Sequence, residues 1–172
     1  VSVGFDVGTV KLSDGATGFL VDGMALGLET SGSVSELAMT FDLDELSVSD
    51  AASETQLDVQ SIAGSGASKS FLPRIWLGEN DFFIKRVTLA IDETAIEALN
   101  IRVSGAIDED ADGLLAASSL LNISELIVAE VSVDEIELGV SYENINSEAL
   151  SDFFELNEQF DVAPVDADEL LG

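Results

Sequence analysis

An eight-residue pattern with apolar residues at positions 1, 3, 6 and 8 recurs along this chain of 172 residues. It constrains the fold more than any other feature, because period-two alternation is typical of a half-buried strand. We call its copies octets: FDVGTVKL (5–12), FLVDGMAL (19–26), FDLDELSV (41–48), LDVQSIAG (57–64), FFIKRVTL (82–89), IEALNIRV (96–103), LNISELIV (121–128) and VSVDEIEL (131–138). The fourth octet departs from the pattern at its last position, where Gly64 stands.

The spacing of the octets is nearly regular. The odd octets begin at residues 5, 41, 82 and 121, and the even ones begin at 19, 57, 96 and 131. Each pair of octets therefore recurs after roughly 38 residues, a period found in proteins built from repeated units. The spacing predicts four units of about 38 residues, with two octets in each.

The alternation changes phase in the middle of each octet, since positions 1 and 3 have one parity and positions 6 and 8 the other. A regular strand would place half of these apolar side chains in water. A β-bulge, a corner, or a strand bent from one sheet into another would restore a common face. The sequence thus predicts an all-β, repeat-built fold, either a β-solenoid or an antiparallel β-sandwich or barrel of bent strands.

The C-terminal part of the chain differs from the octets. In SEALSDFFELNEQF (147–160), Leu150, Phe153 and Phe154 lie at helical spacing, which predicts a short C-terminal helix. We expect one β-rich domain over 1–160 and an acidic tail or linker over 161–172. The segment GSGASKS (64–70) is interpreted as a flexible loop between the second and third units.

The net charge of −28 excludes some classes of partner. Nucleic-acid binding needs clustered cations, and the longest basic run is Lys85-Arg86, so no nucleic-acid partner is expected. Such a self-repelling surface suits a saline milieu, halophilic or marine, or bound cations, while general solubility is the simpler alternative. The longest run without charge, 113–124, is too short to span a membrane.

The chain has no cysteine and no histidine, which removes thiolate ligands and the commonest general base. We therefore expect no enzymatic activity, and any metal should be a hard cation with oxygen ligands. The motif IDEDADG places Asp108, Asp110 and Asp112 at alternate positions before Gly113, as at the start of a calcium loop. Ser119 stands where an EF-hand has its bidentate glutamate, so the alternatives are a calcium-stabilised β-loop and a solvated acidic turn.

Two segments are candidate interfaces. The opening residues Val1, Val3, Phe5 and Val7 alternate with smaller or polar ones, as in a strand donated to a neighbouring subunit, although an ordinary first strand has the same pattern. Trp76 lies in the main aromatic concentration of the chain, within the segment 69–102 that has no net charge, and is either a docking residue or a core residue.

These features favour an exported structural or interaction protein, such as a module of a cell-surface layer, filament or adhesin, with calcium as a possible cofactor. The chain starts at Val1 and not at Met, so it is either a processed protein or an excised fragment. Processing is the simpler interpretation, and an extracellular or cell-surface location is therefore expected, with the periplasm as an alternative. Protein partners or copies of the same chain would bind the long faces that stacked units leave. The alternative is a carrier that holds a lipid or another hydrophobic ligand in a β-barrel pocket.

Overall fold

The computed structural model describes residues 1–32, 35–72, 75–110 and 112–161, with side chains up to residue 156. Nearly all of this part of the chain is β-structure. The strands are β1 (Ser2–Val7), β2 (Val10–Ser13), β3 (Thr17–Asp22), β4 (Met24–Thr30), β5 (Glu36–Asp50), β6 (Thr55–Leu72), β7 (Ile75–Ile91), β8 (Thr94–Glu109), β9 (Leu114–Val128) and β10 (Val131–Asn146). One helix, α1 (Ser147–Asp161), follows them.

The strands form one antiparallel sheet. From β5 to β10 each strand pairs with the next one in sequence, while β5 also pairs with β3 and β4. Within the described residues the sheet runs from β1 and β2 at one edge to β10 at the other and does not close. The all-β fold and the C-terminal helix are therefore confirmed, whereas the grouping into four repeat units stays a prediction.

The first four strands are two long strands, each interrupted in the middle. β1 and β2 are separated by Gly8 and Thr9, the central residues of the first octet, and β3 and β4 are separated by Gly23 in the second. The two interruptions adjoin one another, because the Thr9 hydroxyl donates to an Asp22 carboxylate oxygen at 2.5 Å. When β1 with β2, and β3 with β4, are each counted as one long strand, each octet lies on one long strand of the sheet.

A line of irregular residues crosses the sheet through the octet centres. Gly23, Ser61, Asn100 and Glu135 have positive φ values of 62°, 51°, 49° and 53°. The ladder omits these positions and then resumes in the same register, as between Gln60↔Arg86 and Ile62↔Ile84. Because a left-handed residue interrupts the pleat, the apolar positions on both sides of the line face the same way. This left-handed residue is the physical reason for the phase change in the second, fourth, sixth and eighth octets, and the ladder skips the facing positions on the strands between them, such as Asp44 and Lys85.

Gly64, the exception to the octet pattern, is explained by its neighbour across the ladder. Gly64 pairs with Phe82, and a Cβ atom on Gly64 would overlap the Phe82 ring. An aromatic ring over a cross-strand glycine covers the exposed backbone and compensates for the missing side chain. The prediction of a flexible loop over 64–70 is wrong, since these residues lie inside β6. Their small residues fit a strand that packs closely on its neighbours.

The compact core lies at one end of the sheet. Ile75, Leu77 and Leu115 are buried there, and Ile145 and Leu150 pack against them. Helix α1 closes this end and begins with Asn146 as its cap, whose side-chain oxygen accepts the Ala149 amide at 2.8 Å. The predicted tail falls largely outside the described residues, which end at 161.

Candidate interaction surface

One face of the sheet is apolar over the whole octet region. Position 1 of each octet lies opposite position 8 of the next one, and position 3 lies opposite position 6. One of the two outer rows consists of Leu12, Phe19, Val48, Leu57, Leu89, Ile96, Val128 and Val131. A row beside the kink line contains Leu43, Ile62, Ile84, Ile101, Ile123 and Ile136. We call the four rows together the apolar face, and no charged residue belongs to them.

The exposure of the apolar face increases from the centre of the sheet to its edges. Leu43 and Val59, on central strands, are 7% and 8% exposed. Leu12 and Val131, on the edge strands, are 62% and 65% exposed. In the described part of the chain neither a second sheet nor α1 covers this face. The central side chains are therefore shielded mainly by one another.

The area of the apolar face exceeds that of an ordinary surface patch. Seven spacings of roughly 4.8 Å across eight strands and seven rises of roughly 3.3 Å along eight residues give a rectangle of roughly 800 Å². The largest apolar patch on a typical monomer covers about 300–600 Å². The apolar face therefore has the dimensions of one side of a standard protein interface, which is about 800 Å² per partner.

The opposite face of the sheet holds polar and charged side chains. Two ion pairs link β7 to β8: Arg86 to Glu97 at 2.8 Å, and Arg102 to both carboxylate oxygens of Asp81 at 2.7 and 3.0 Å. The hydrogen bond from Arg102 lowers the pKa of Asp81 and raises the pKa of Arg102. Arg86 and Arg102 thus each neutralise an acid on the neighbouring strand.

Beyond the octets the apolar face continues into a cavity of about 380 Å³. Trp76, Asn80, Ile107 and Tyr142 contribute to its lining, and Tyr142 is 63% exposed. Trp76 is partly buried, next to the core residues Ile75 and Leu77. Trp76 therefore has features of both a core residue and a docking residue, since it lies at the boundary of the core and beside an open cavity.

The three aspartates of the calcium prediction lie at the β8–β9 hairpin. Asp108 is in β8, and Asp110 is in the turn, where one carboxylate oxygen accepts the amides of Asp112 and Leu114, both at 2.9 Å. Gly113, with a φ of 79°, completes the turn. Among the described residues no group of three acidic side chains is arranged to hold a metal ion. Asp110 has a structural role here, and calcium binding stays a prediction.

The two roles of Asp110 are separable by substitution. We expect Asp110→Ala to lower the free energy of unfolding by about 1 kcal/mol, because two backbone donors lose their acceptor. Asp110→Asn keeps an oxygen acceptor and should leave the stability without calcium unchanged. Urea unfolding with and without calcium measures both. A calcium-dependent stabilisation that disappears in both variants would instead show that the carboxylate binds the ion.

The opening strand pairs within its own chain. Val3, Phe5 and Val7 of β1 lie opposite Leu28, Leu26 and Met24 of β4, and Val1 is bonded to Thr30. Val1, Val3 and Phe5 are 81%, 59% and 55% exposed, because none of the described strands lies on the other side of β1. In this arrangement β1 is an ordinary edge strand, and its donation to a neighbouring subunit stays a prediction.

A comparison with family models matches residues 1–169 to a bacterial protein family of unknown function, DUF945. The chain belongs to the DUF945 family. No curated protein and no solved structure matches this DUF945 chain. In the part of the chain that the structure describes, no helix is long and apolar enough to cross a membrane. The expectation that the chain is not an enzyme stays a prediction.

Sequence reasoning identified the apolar residues of this face but not that they join into one surface. The octets identify the apolar side chains and the phase change at each octet centre. The alignment of position 1 with position 8 of the next octet depends instead on the hairpin turns. Sequence reasoning also did not predict that Asp6 and Lys11 both lie on the open edge formed by β1 and β2. Lys11 is the sole base in the first 68 residues, and that isolation is a signal that could have drawn attention to it.

Proposed function

We propose that this DUF945 chain is an exported structural or interaction module that binds its partner through the apolar face. The observation that carries the proposal is the apolar face of roughly 800 Å², whose four rows contain no charged residue and which no other described element covers. A single-layer sheet gains hydrophobic stabilisation when a second layer covers such a face. A module of a cell-surface layer, filament or adhesin would use such a face for assembly, and this role needs no catalytic residues.

The distribution of charge supports the same role. The two ion pairs lie on the opposite face, so a partner on the apolar face does not have to desolvate them. The negative charge keeps the protein soluble while the apolar face is exposed. Salt would screen the repulsion between these negative charges. A saline extracellular or cell-surface setting is therefore part of the proposal.

Association through the apolar face can be tested at its exposed margin. Leu138 is 62% exposed on β10, and Leu138→Asp should reduce association at least tenfold, because the interface would then bury an unpaired charge. Ser141→Asp is the matched control, since the same charge enters the same strand on the opposite face. Sedimentation velocity and negative-stain microscopy, with and without calcium, give the readout.

Either of two results would contradict the interaction role. One is a strictly monomeric wild-type chain that binds no isolated cell-surface protein, with or without calcium. The other is an equal effect of Leu138→Asp and Ser141→Asp, since that would assign the loss to charge and not to the apolar face.

A carrier of hydrophobic ligands is the second candidate, favoured by the cavity of about 380 Å³ that adjoins the apolar face beside Trp76 and Tyr142. Because the described sheet is open, a ligand would lie along the face and not inside a barrel. Native mass spectrometry of gently extracted protein should then detect bound ligand, and Tyr142→Asp should reduce its occupancy. A ligand-free wild-type protein would exclude the carrier role.

A further inference from the structure

The edge formed by β1 and β2 presents backbone groups to solvent in a defined order. Val1 exchanges two hydrogen bonds with Thr30 of β4, at 2.7 and 2.8 Å. Bonding alternates along an antiparallel strand, so the N–H and C=O groups of Ser2, Gly4 and Asp6 point to the open side. An edge of this kind is a template for another strand.

The same reasoning applies to β2. Asp14 donates its amide to the Thr17 carbonyl at 3.2 Å, so the backbone groups of residue 14, and of alternate residues before it, point to β3. The groups of Lys11 and Ser13 therefore point to the open side. Across both halves of this edge the outward groups belong to Ser2, Gly4, Asp6, Lys11 and Ser13.

The octet register predicts how a second copy would pair with this edge. Neighbouring octets in the sheet align position 1 with position 8, as in Leu12↔Phe19. In two antiparallel copies of the first octet, this register places Phe5 opposite Leu12 of the second copy. It also places Asp6 opposite Lys11, and Gly4 opposite Ser13.

This register satisfies the backbone as well as the side chains. Both members of each pair, Asp6 with Lys11 and Gly4 with Ser13, have outward-pointing groups, as a hydrogen-bonded antiparallel pair requires. The interruptions at Gly8 and Thr9 align with each other across the junction. The apolar rows continue from one copy into the next, because Phe5, Leu12 and their partners share the apolar face.

Charge selects this pairing over the other possible edge contacts. Asp6 and Lys11 are the charged residues of the segment 2–13, and the register brings them together twice in a two-fold dimer. The opposite edge, β10, carries Asp134, Glu135, Glu137 and Glu143 and no base. Pairing β10 with itself sets acid against acid, and pairing it with β1 sets Glu137 opposite Asp6 in the octet register. Like charges directly opposite one another destabilise a strand pair.

We propose that two copies of the chain form a two-fold dimer by antiparallel pairing of their β1/β2 edges in the octet register. The inference rests on the proposed interaction role but uses a different surface, the edge instead of the face. The dimer is one continuous sheet whose apolar face is twice as wide as that of the single chain. The second copy is thus the partner that this edge fits.

Charge reversal at the edge tests the proposal. Lys11→Glu and Asp6→Lys should each raise the dimer dissociation constant about tenfold, since each creates two like-charge pairs. The combination of both substitutions should restore the wild-type value. A general charge effect predicts otherwise, because Asp6→Lys reduces the net charge of −28 and would then strengthen association. Lys85→Glu and Asp134→Lys, which change charge away from this edge, are the matched controls.

A cross-link tests the register directly, since the chain has no cysteine of its own. The double variant Asp6→Cys with Lys11→Cys should give a disulfide-linked dimer under mild oxidation, because Cα atoms of paired residues lie at about 5.5 Å. Each single variant should stay unlinked, because its cysteine would face an aspartate or a lysine. Equal cross-linking of single and double variants would overturn the register.

The outcomes for the edge and for the apolar face are distinguishable. If Leu138→Asp abolishes the larger assemblies and the variant with Asp6→Cys and Lys11→Cys still forms the disulfide dimer, both proposals are supported. Association that depends on Leu138 while no dimer forms through Asp6 and Lys11 would overturn the edge inference alone. A disulfide dimer in the predicted register, in a chain that forms no larger assembly and binds no partner, would overturn the proposed function alone.

Discussion

Replacement of Gly78 by alanine is expected to destabilise the protein by about 3 kcal/mol, among the largest effects of any single methyl group in this chain. Gly78 lies in β7 opposite Ser68 of β6. A Cβ atom on Gly78 would overlap the carbonyl oxygen of Ala67 and come within 2.6 Å of the Ser68 Cα. These are backbone atoms of a paired strand, so no rotamer change relieves the overlap and the two strands must separate locally.

Chemical denaturation of Gly78→Ala followed by circular dichroism measures this loss, and Gly4→Ala is the matched control. Gly4 lies in the edge strand β1, and no atom lies within 4 Å of the position of its added Cβ. The control should keep wild-type stability or gain slightly, since alanine has less backbone entropy than glycine to lose. Equal stability of Gly78→Ala and the wild type would mean that β6 and β7 do not approach as described.

Truncation of Leu115 is expected to have the second large effect. Leu115 is 2% exposed and lies with Ile75 and Leu77 in the cluster that joins the end of the sheet to α1. Leu115→Ala should cost about 3 kcal/mol, because burial is lost and a cavity is left behind. Since Leu150 of α1 packs on this cluster, the helix should also lose protection against amide hydrogen exchange.

Leu156→Ala is the control for Leu115→Ala, because it makes the same change in α1 at a side chain that is 53% exposed. Its cost should stay below about 0.5 kcal/mol, as for most surface substitutions. If both variants lost similar stability, or if α1 kept its protection in Leu115→Ala, the core would not be the cluster described above.

The octets show how far sequence reasoning reached and where it failed. Alternation predicted the strands, and the phase change predicted a kink at each centre, which Ser61 and Asn100 provide through positive φ values. The loop expected over 64–70 failed for a specific reason. Glycine and serine are common in flexible loops, but here they let β6 lie close to β7, and the Phe82 ring covers Gly64. Composition alone does not distinguish these two uses of small residues.

The candidate surface was predicted only as a set of residues. Alternation states that Leu57 and Leu89 face a core, but it does not state that they face each other. Their pairing is fixed by the turn between β6 and β7 and by the register that follows. Trp76 and the aspartates 108, 110 and 112 were noticed for their residue type, whereas their neighbours depend on chain pairing over long sequence distances.

The sequence by itself determined where the octet part of each strand lies, the kinks at the octet centres, the C-terminal helix and the sign of the surface charge. These properties are local, because they follow from side-chain alternation, helical spacing and residue counts over a few turns of chain. The tertiary structure alone decided that the strands pair in order into one open sheet, that the apolar rows join into one face, and that β1, β2 and β10 become edges. The reason is physical: strand pairing and face-to-face covering are long-range choices, and the same alternating pattern satisfies a solenoid, a sandwich or an open sheet until the register is set.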